Sequence, residues 1–357
     1  MIMTEKVKIL LVGAAFSADL HSDGYARIPN RVEIVGIVDK VVEKAHALAD
    51  KYGFQNYTVY DDYEKAIEEV DCDAVDVCLP NFLHHSVTIA ALKKGRNVIC
   101  EKPLATTVED AREMVETAKA VGKHIYYAED WLGSPALRKA RELVKSGAIG
   151  ELKFVRAREC HSGSHSPFAQ TIEYCGGGAM VHLGVHPVGF MLALKNNRWK
   201  ELVAMTSGGG DTNLIHKTME GEDWAGALIR FEDGTVAVLE ANYVTHGGME
   251  DQIDFYGTKG CLHVDLTFSS PIKGFSISGF DYTVEKAEIT KGWSKPAVDE
   301  RYNLGYVAEI DHFIECIAEG CAARTGLRGV DGLETLKVIN LIYKSHREGT
   351  RILNGKE

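Results

Sequence analysis

The chain has 357 residues, of which 45% are hydrophobic and 25% charged, and its formal net charge is −11. At ~100–200 residues per domain this length suggests two domains with ample cores. The acidic balance, with no Lys/Arg-rich run, argues against a nucleic-acid partner, and no apolar run approaches the ~18 residues of a membrane helix. The apolar stretch in "MIMTEKVKILLVG" lacks a following small-residue cleavage site and reads as a buried strand, not a signal peptide. The cysteines (Cys72, Cys78, Cys100, Cys160, Cys175, Cys261, Cys316, Cys321) mostly lie in apolar runs without a CxxC pair. Reduced thiols in a cytoplasmic chain are expected.

Strand and helix signals alternate from the start. "VKILLVG" (7–13) and "VEIVGIVD" (32–39) are continuous apolar runs, as expected of strands buried on both faces. "SADLHSDGYARIP" between them reads as a helix with a weak apolar stripe. Next come a helix closed by glycine, "VVEKAHALADKYG" (41–53), and a short strand and helix in "TVYDDYEKAIEEV" (58–70). "AVDVCLP", "NVICEKP" and "HIYYAED" predict further strands, separated by the helices "SVTIAALKKG" and "TVEDAREMVETAKAVG". This alternation predicts an α/β domain over 1–130 with a parallel, doubly wound sheet.

Beyond residue 130 the pattern changes. One helix, "SPALRKARELVKSG", precedes longer strand-like runs: "ELKFVRARE", "ELVAMTSG", "AGALIRFEDGTVAVLEANYVT" and "DQIDFYGTKGCLHVDL". An Asp-Gly turn marks a hairpin in the third of these, and "YGTKG" marks another. "GYVAEIDHFIECIAEG" and "DGLETLKVINLIYKSHREG" read as amphipathic helices. Residues 131–357 are therefore expected to form a second, α+β domain around an open, mostly antiparallel sheet. Its exposed face is a natural surface for a homo-oligomer, a dimer or tetramer.

The first strand runs into Gly13-Ala14-Ala15-Phe16-Ser17-Ala18, which has the spacing of a G-x-G-x-x-G turn with alanine in place of the second and third glycines. Glycine serves there for close approach of a pyrophosphate and tight helix packing. An ordinary strand-to-helix turn explains the segment about as well when it is taken alone. Asp39 ends the second strand, where an acid meets ribose hydroxyls and disfavours a 2′-phosphate. NAD is therefore expected over NADP. Lys40 beside it softens that preference and leaves NADP possible. Asp39 can also cap the helix starting at Val41.

More specific is "CLPNFLHHSVTIAALKKGRNVICEKPLATT" (78–107), which resembles the Gfo/Idh/MocA oxidoreductase family through Pro80, Asn81, His84, Gly95, Val98, Glu101, Lys102 and Pro103. The likeness continues through "GAIGELKFV", "GGGAMVHLGVHP", "FEDGTVAVLEA" and "YGTKGCLHVD", and so spans most of the chain. It implies an N-terminal Rossmann domain and a C-terminal domain for substrate binding and oligomerisation. It also implies cofactor contacts from Gly13, Ala14, Ala15, Phe16, Asp39, Lys40, Pro80, Asn81, His84, Glu101 and Lys102. Lys102 follows a parallel strand at the carboxyl edge, where ligands bind. Its ammonium would polarise a sugar hydroxyl or hold a developing oxyanion.

In that family a Gly-Gly-Gly turn leads into a helix bearing Asp-x-Gly-x-His. Here "GGGAMVHLGVHP" (176–187) places His186 on the family's histidine, as general base, and His182 on the family's Asp. The assignment of base stays open between them, with His186 preferred. The glycines are expected to let backbone crowd the nicotinamide and substrate. "ECHSGSH" adds Glu159, His161 and His165, and with His182 and His186 these could hold a divalent cation. Contacts to sugar hydroxyls are the favoured reading, and no metal is assigned. Asp130 and Trp131 stand at the domain junction, with the tryptophan available to stack on a sugar ring.

The resemblance implies an NAD-dependent oxidoreductase that moves hydride between a carbohydrate hydroxyl carbon and the nicotinamide. Two alternatives remain at this point. One is an NAD-dependent glycoside hydrolase or lyase working by transient oxidation and elimination. The other is a non-catalytic dinucleotide-binding regulator.

Overall fold

The run "VKILLV" is buried at every position except Lys8, as a strand covered on both faces must be. In the computed structural model, which describes residues 5–164, 166–281 and 284–355, it is the first strand, β1 (Val7–Val12). It is followed by α1 (Phe16–Ala26), β2 (Val32–Val38), α2 (Val42–Tyr52), β3 (Thr58–Tyr60), α3 (Tyr63–Glu69), β4 (Ala74–Val77), α4 (His84–Lys93), β5 (Asn97–Glu101), α5 (Val108–Val121) and β6 (Ile125–Ala128). The strands form one parallel sheet in the order β3-β2-β1-β4-β5-β6. The order reverses between β1 and β4, and ligands bind at the carboxyl end of such a crevice. Local signals set the helix ends. Asp62 and Thr107 cap α3 and α5 through their side chains, and Gly53 and Gly122 close α2 and α5 in the left-handed conformation.

The second unit opens with α6 (Pro135–Lys145) and β7 (Leu152–Cys160). Three short helices follow: α7 (Ile172–Cys175), α8 (Ala179–His182) and α9 (Val185–Leu194). Then come β8 (Trp199–Thr206), β9 (Trp224–Phe231), β10 (Val236–Asn242), β11 (Glu250–Gly257), β12 (Cys261–Asp265), the small hairpin β13 (Gly274–Ser276) and β14 (Gly292–Ser294), and α10 (Glu300–Leu304). The large sheet has the order β12-β11-β7-β10-β9-β8-β15, where β15 is Ile352–Leu353. Every pair is antiparallel except β7 with β10, which run parallel. Both hairpins marked by their turns are present, β9–β10 and β11–β12.

One expectation needs correction. The chain divides after Asp130, but Tyr306–Leu333 groups with the first unit, so 131–357 is not one continuous domain. The returning segment contains α11 (Tyr306–Glu319) and the start of α12 (Gly329–Glu348). The reason is packing against α1. Gly24 presents no side chain to α11, and a Cβ there would lie 2.8 Å from Ile310 Cβ. An amphipathic pattern predicts a helix but not which core receives its apolar face. Among the described residues, no single helix is long and apolar enough to cross a membrane.

Candidate active site

In the first unit the predicted residues gather at the carboxyl edge of the parallel sheet. Gly13 follows β1 with φ 110°, and a Cβ on it would fall 2.1 Å from the Cys78 carbonyl oxygen. Glycine is required because two backbones touch and because φ is positive. The other two glycine positions of the motif are less constrained: Ala15 is exposed and Ala18 packs its methyl in the core. Phe16 begins α1 and is partly exposed. No side chain caps that helix. The N-terminal end of such a helix favours an anion, as a pyrophosphate site requires.

Asp39 serves both roles considered from the sequence. Its Oδ1 accepts from Val41 N–H at 2.8 Å, and its Oδ2 accepts from Ala14 N–H at 3.0 Å. Each carboxylate oxygen has a second lone pair, so the group can still receive ribose hydroxyls. Lys40 is exposed and points toward Asp62 at 4.0 Å. The Gly13 cradle, the uncapped α1 and Asp39 together fit a dinucleotide.

Pro80 and Asn81 are half-buried in the turn after β4, and Lys102 is half-buried directly after β5. The Lys102–Pro103 peptide is cis. His84 was expected to touch cofactor but is fully buried. Its Nδ1 lies 2.8 Å from Pro103 O and its Nε2 2.9 Å from Leu79 O. It ties the turn after β4 to the turn after β5 and shapes the site from behind. Glu101 is also buried. Its Oε2 accepts from Lys102 N–H at 2.9 Å, and its Oε1 lies 3.1 Å from His21 Nε2. Burial pushes the Glu101 carboxyl up, but His21, the charge of Lys102 and the Lys102 N–H together hold it below its ordinary value. Asp130 is buried at the end of this unit.

The second unit holds the histidines, and there the structure departs from expectation. The segment after the glycines is not one helix. It breaks at Leu183 and Gly184, between α8 and α9, so His182 and His186 do not share a helical face. His182 Nδ1 meets Tyr243 Oη at 2.6 Å, and His161 packs on the same tyrosine with ring centroids 5.6 Å apart. His186 is buried, with Nε2 3.5 Å from Glu159 Oε2. Trp131 is buried too and lies over the His186 ring at 5.8 Å and 20°. It therefore backs a histidine and does not offer a free face to a sugar. Asp251 on β11 is the register partner of Glu159 on β7, so two buried carboxylates are neighbours across the ladder. Among the described residues, no three ligating atoms combine His161, His182 and His186. His165 lies outside the described residues.

The glycines also have a different purpose from the one expected. A Cβ on Gly178 would lie 2.1 Å from Glu222 O, and one on Gly177 would lie 2.5 Å from Tyr343 Oη. Gly176 closes α7 with φ 87°. The triplet lets backbone pack on backbone at Glu222, a residue that sequence reasoning missed. The Glu222 carboxylate accepts from Gly178 N–H at 3.2 Å, Met180 N–H at 2.7 Å and Tyr343 Oη–H at 2.9 Å. Burial nevertheless pushes its carboxyl up to about 7. Tyr243, Asp251 and His21 were missed as well. Asp76, in the middle of the apolar run "AVDVCLP", was the one signal that a buried polar cluster existed.

Two family models match the chain: the oxidoreductase family with NAD-binding Rossmann fold over residues 7–129, and the GFO/IDH/MocA C-terminal domain over residues 137–263. A D-glucoside 3-dehydrogenase of Escherichia coli (strain K12) is 31% identical over 66% of this chain and 70% of its own length. A levoglucosan dehydrogenase of Pseudarthrobacter phenanthrenivorans is 26% identical over 96% of each chain. Among solved structures, GenD2 from gentamicin A biosynthesis, in complex with NAD, superposes with a TM-score of 0.90 over 100% of this chain and 98% of its own, at 22% identity. That last likeness is one of fold. With both units matched by their own models, the chain belongs to the GFO/IDH/MocA family of oxidoreductases, and its first unit is the family's NAD-binding Rossmann fold.

Proposed function

We propose that the protein oxidises a hydroxyl carbon of a sugar, polyol or glycoside, or reduces the matching ketone. The observation that carries this reading is Lys102. It stands at the carboxyl end of β5, on the edge that also holds the Gly13 turn and Asp39. The names of the relatives, a glucoside dehydrogenase and a levoglucosan dehydrogenase, support a carbohydrate substrate.

Bound NAD supplies the ring that accepts hydride. The chain's own groups hold the substrate and move the proton. The Lys102 ammonium donates to the reacting hydroxyl oxygen and stabilises negative charge as its proton leaves. His186 is the proposed base, because an imidazole titrates near working pH, and Glu159 beside it stabilises the protonated ring. His182 and His161, both on Tyr243, are proposed to receive other hydroxyls.

We further propose that the second unit mediates a homo-oligomer. Val203 and Met205 on β8 and Leu228 on β9 are exposed on one face of the sheet, and Val203 and Leu228 are direct register partners. Light scattering that gives a monomer mass would refute this. A reducing, cytoplasmic setting fits eight free cysteines, six of them buried. Labelling with a thiol reagent after denaturation without reductant checks that these thiols are reduced.

The test of function is a panel of sugars, polyols and glycosides with NAD and NADP, following both nicotinamide absorbance and product identity. Lys102→Met should abolish turnover while NADH still binds. Turnover at the unsubstituted rate sinks the reading. Glycoside cleavage without NADH accumulation would replace it with redox-neutral cleavage.

A further inference from the structure

Behind the loop that carries Lys102, the first unit buries a histidine between two carboxylates. His21 lies on α1 and is fully buried. Its Nδ1 is 2.9 Å from Asp76 Oδ2 and 3.1 Å from Asp76 Oδ1, and its Nε2 is 3.1 Å from Glu101 Oε1. Asp76 is fully buried on β4, and Glu101 is buried at the end of β5. A neutral imidazole donates from one nitrogen only, whereas an imidazolium donates from both. Here Nδ1 is hydrogen-bonded to Asp76, while Nε2 stands against Glu101 at ion-pair distance without hydrogen-bond alignment, so it is the two adjacent negative charges that call for the charged ring. Two buried carboxylates without a cation between them would also be costly.

The remaining groups around the ring agree. Tyr25 Oη–H donates to Asp76 Oδ2 at 2.8 Å, and Cys78 Sγ lies 3.3 Å from His21 Nδ1. Burial pushes the Cys78 thiol far above its ordinary range, so it stays neutral. Glu309 on α11 is fully buried, and neither of its carboxyl oxygens makes a hydrogen bond among the described residues. Burial, then the charge of Asp130, pushes its carboxyl well up. That shift favours its uncharged form and weakens its competition for the ring. For His21 itself burial is the largest single influence and opposes the charge, but the charge and hydrogen bond of Asp76, together with Cys78, raise the ring well above its usual value.

We infer that His21 is a positioning residue: as a buried imidazolium it joins Asp76 to Glu101, and Glu101 in turn holds the Lys102 backbone. Glu101 spends one oxygen on the ring and the other on Lys102 N–H. The same helix that offers its N-terminus to the pyrophosphate thus fixes the loop that carries the catalytic lysine. Such a link keeps Lys102 in register with the bound dinucleotide, where a displacement of about 1 Å can cost on the order of a hundredfold in rate. This inference rests on the proposed role of Lys102.

Two measurements test it. The first needs no substitution and no substrate: nitrogen-15 NMR of the histidine rings at about pH 8, where an ordinary histidine is neutral. Protons on both His21 nitrogens are expected, and a ring with one bare nitrogen overturns the bridge. The second compares His21→Gln and Asp76→Asn with the unsubstituted protein. NADH affinity, read by fluorescence, should stay within about threefold while kcat falls at least about tenfold. An unchanged kcat with weakened NADH binding would mean that the bridge only supports the cofactor fold, and would overturn positioning. Failure of the Lys102 reading shows up separately, as undiminished turnover by Lys102→Met.

Discussion

Gly178→Ala isolates the role of the glycine triplet. Gly178 has φ −104°, which alanine tolerates, so the cost is one of space. The new methyl would sit 2.1 Å from Glu222 O, 2.4 Å from Glu222 N and 2.6 Å from Glu222 Oε2. No rotamer change relieves contacts to backbone, so the Gly178 and Glu222 segments must separate. Overpacking of this kind costs about 1–3 kcal/mol. Separation also loosens the 2.8 Å bond from Ala179 N–H to Glu222 O and the bonds from Gly178 and Met180 to the carboxylate. One such bond contributes about 0.5–1.5 kcal/mol. A loss of about 3 kcal/mol is therefore expected. At roughly 2–4 °C per kcal/mol for domains of 150–250 residues, Tm should drop by about 6–12 °C. Calorimetry reads this directly, and NADH titration should show the first unit's affinity preserved. A variant that melts within about 1 °C of the parent and loses only turnover would refute the reasoning. Clearance for a ligand would then be the glycine's purpose.

Two further predictions concern the groups around that turn. Glu222 is raised to about 7 by burial, from an ordinary 4.5. The folded state thus binds an extra proton between those values, so this contribution to stability is fully present below about pH 4.5 and is lost as pH rises through about 7. Glu222→Gln mimics the protonated acid and should flatten the fall in Tm between about pH 5 and pH 8; equal slopes in parent and variant would contradict the assignment. Tyr243→Phe removes the hydroxyl 2.6 Å from His182 Nδ1. A loss of about 1 kcal/mol and an altered His182 titration in proton NMR are expected, and an unchanged titration would show that the contact does not control the ring.

Much of the first unit was legible because its signals are local. Uninterrupted apolar runs such as "VKILLV" read as strands covered on both faces, and glycine closed the helices where φ had to be positive. The dinucleotide edge was legible for the same reason: Gly13, Asp39 and Lys102 each directly follow a strand. The polar interior was not. Asp76 was visible as a charge inside a strand, but its partners His21 and Tyr25 stand 55 and 51 positions away. Glu309 sits in an amphipathic repeat that looks the same whether its acid faces water or the core.

The strand and helix periods and the alternating pattern of the first unit were determined by the sequence itself, because backbone geometry imposes those patterns one residue at a time, and the family was carried separately by the motif residues from Pro80 to Pro103. The tertiary structure decided what each functional group meets. Helix α11 joined the first unit, since only packing against Gly24 selects its partner. A break at Gly184 sent His182 to Tyr243 and His186 to Glu159, ending a pairing that helical spacing alone would predict. The glycine triplet turned out to fit Glu222. Side chains distant in sequence meet only after the chain has folded, and burial then sets the charge they carry.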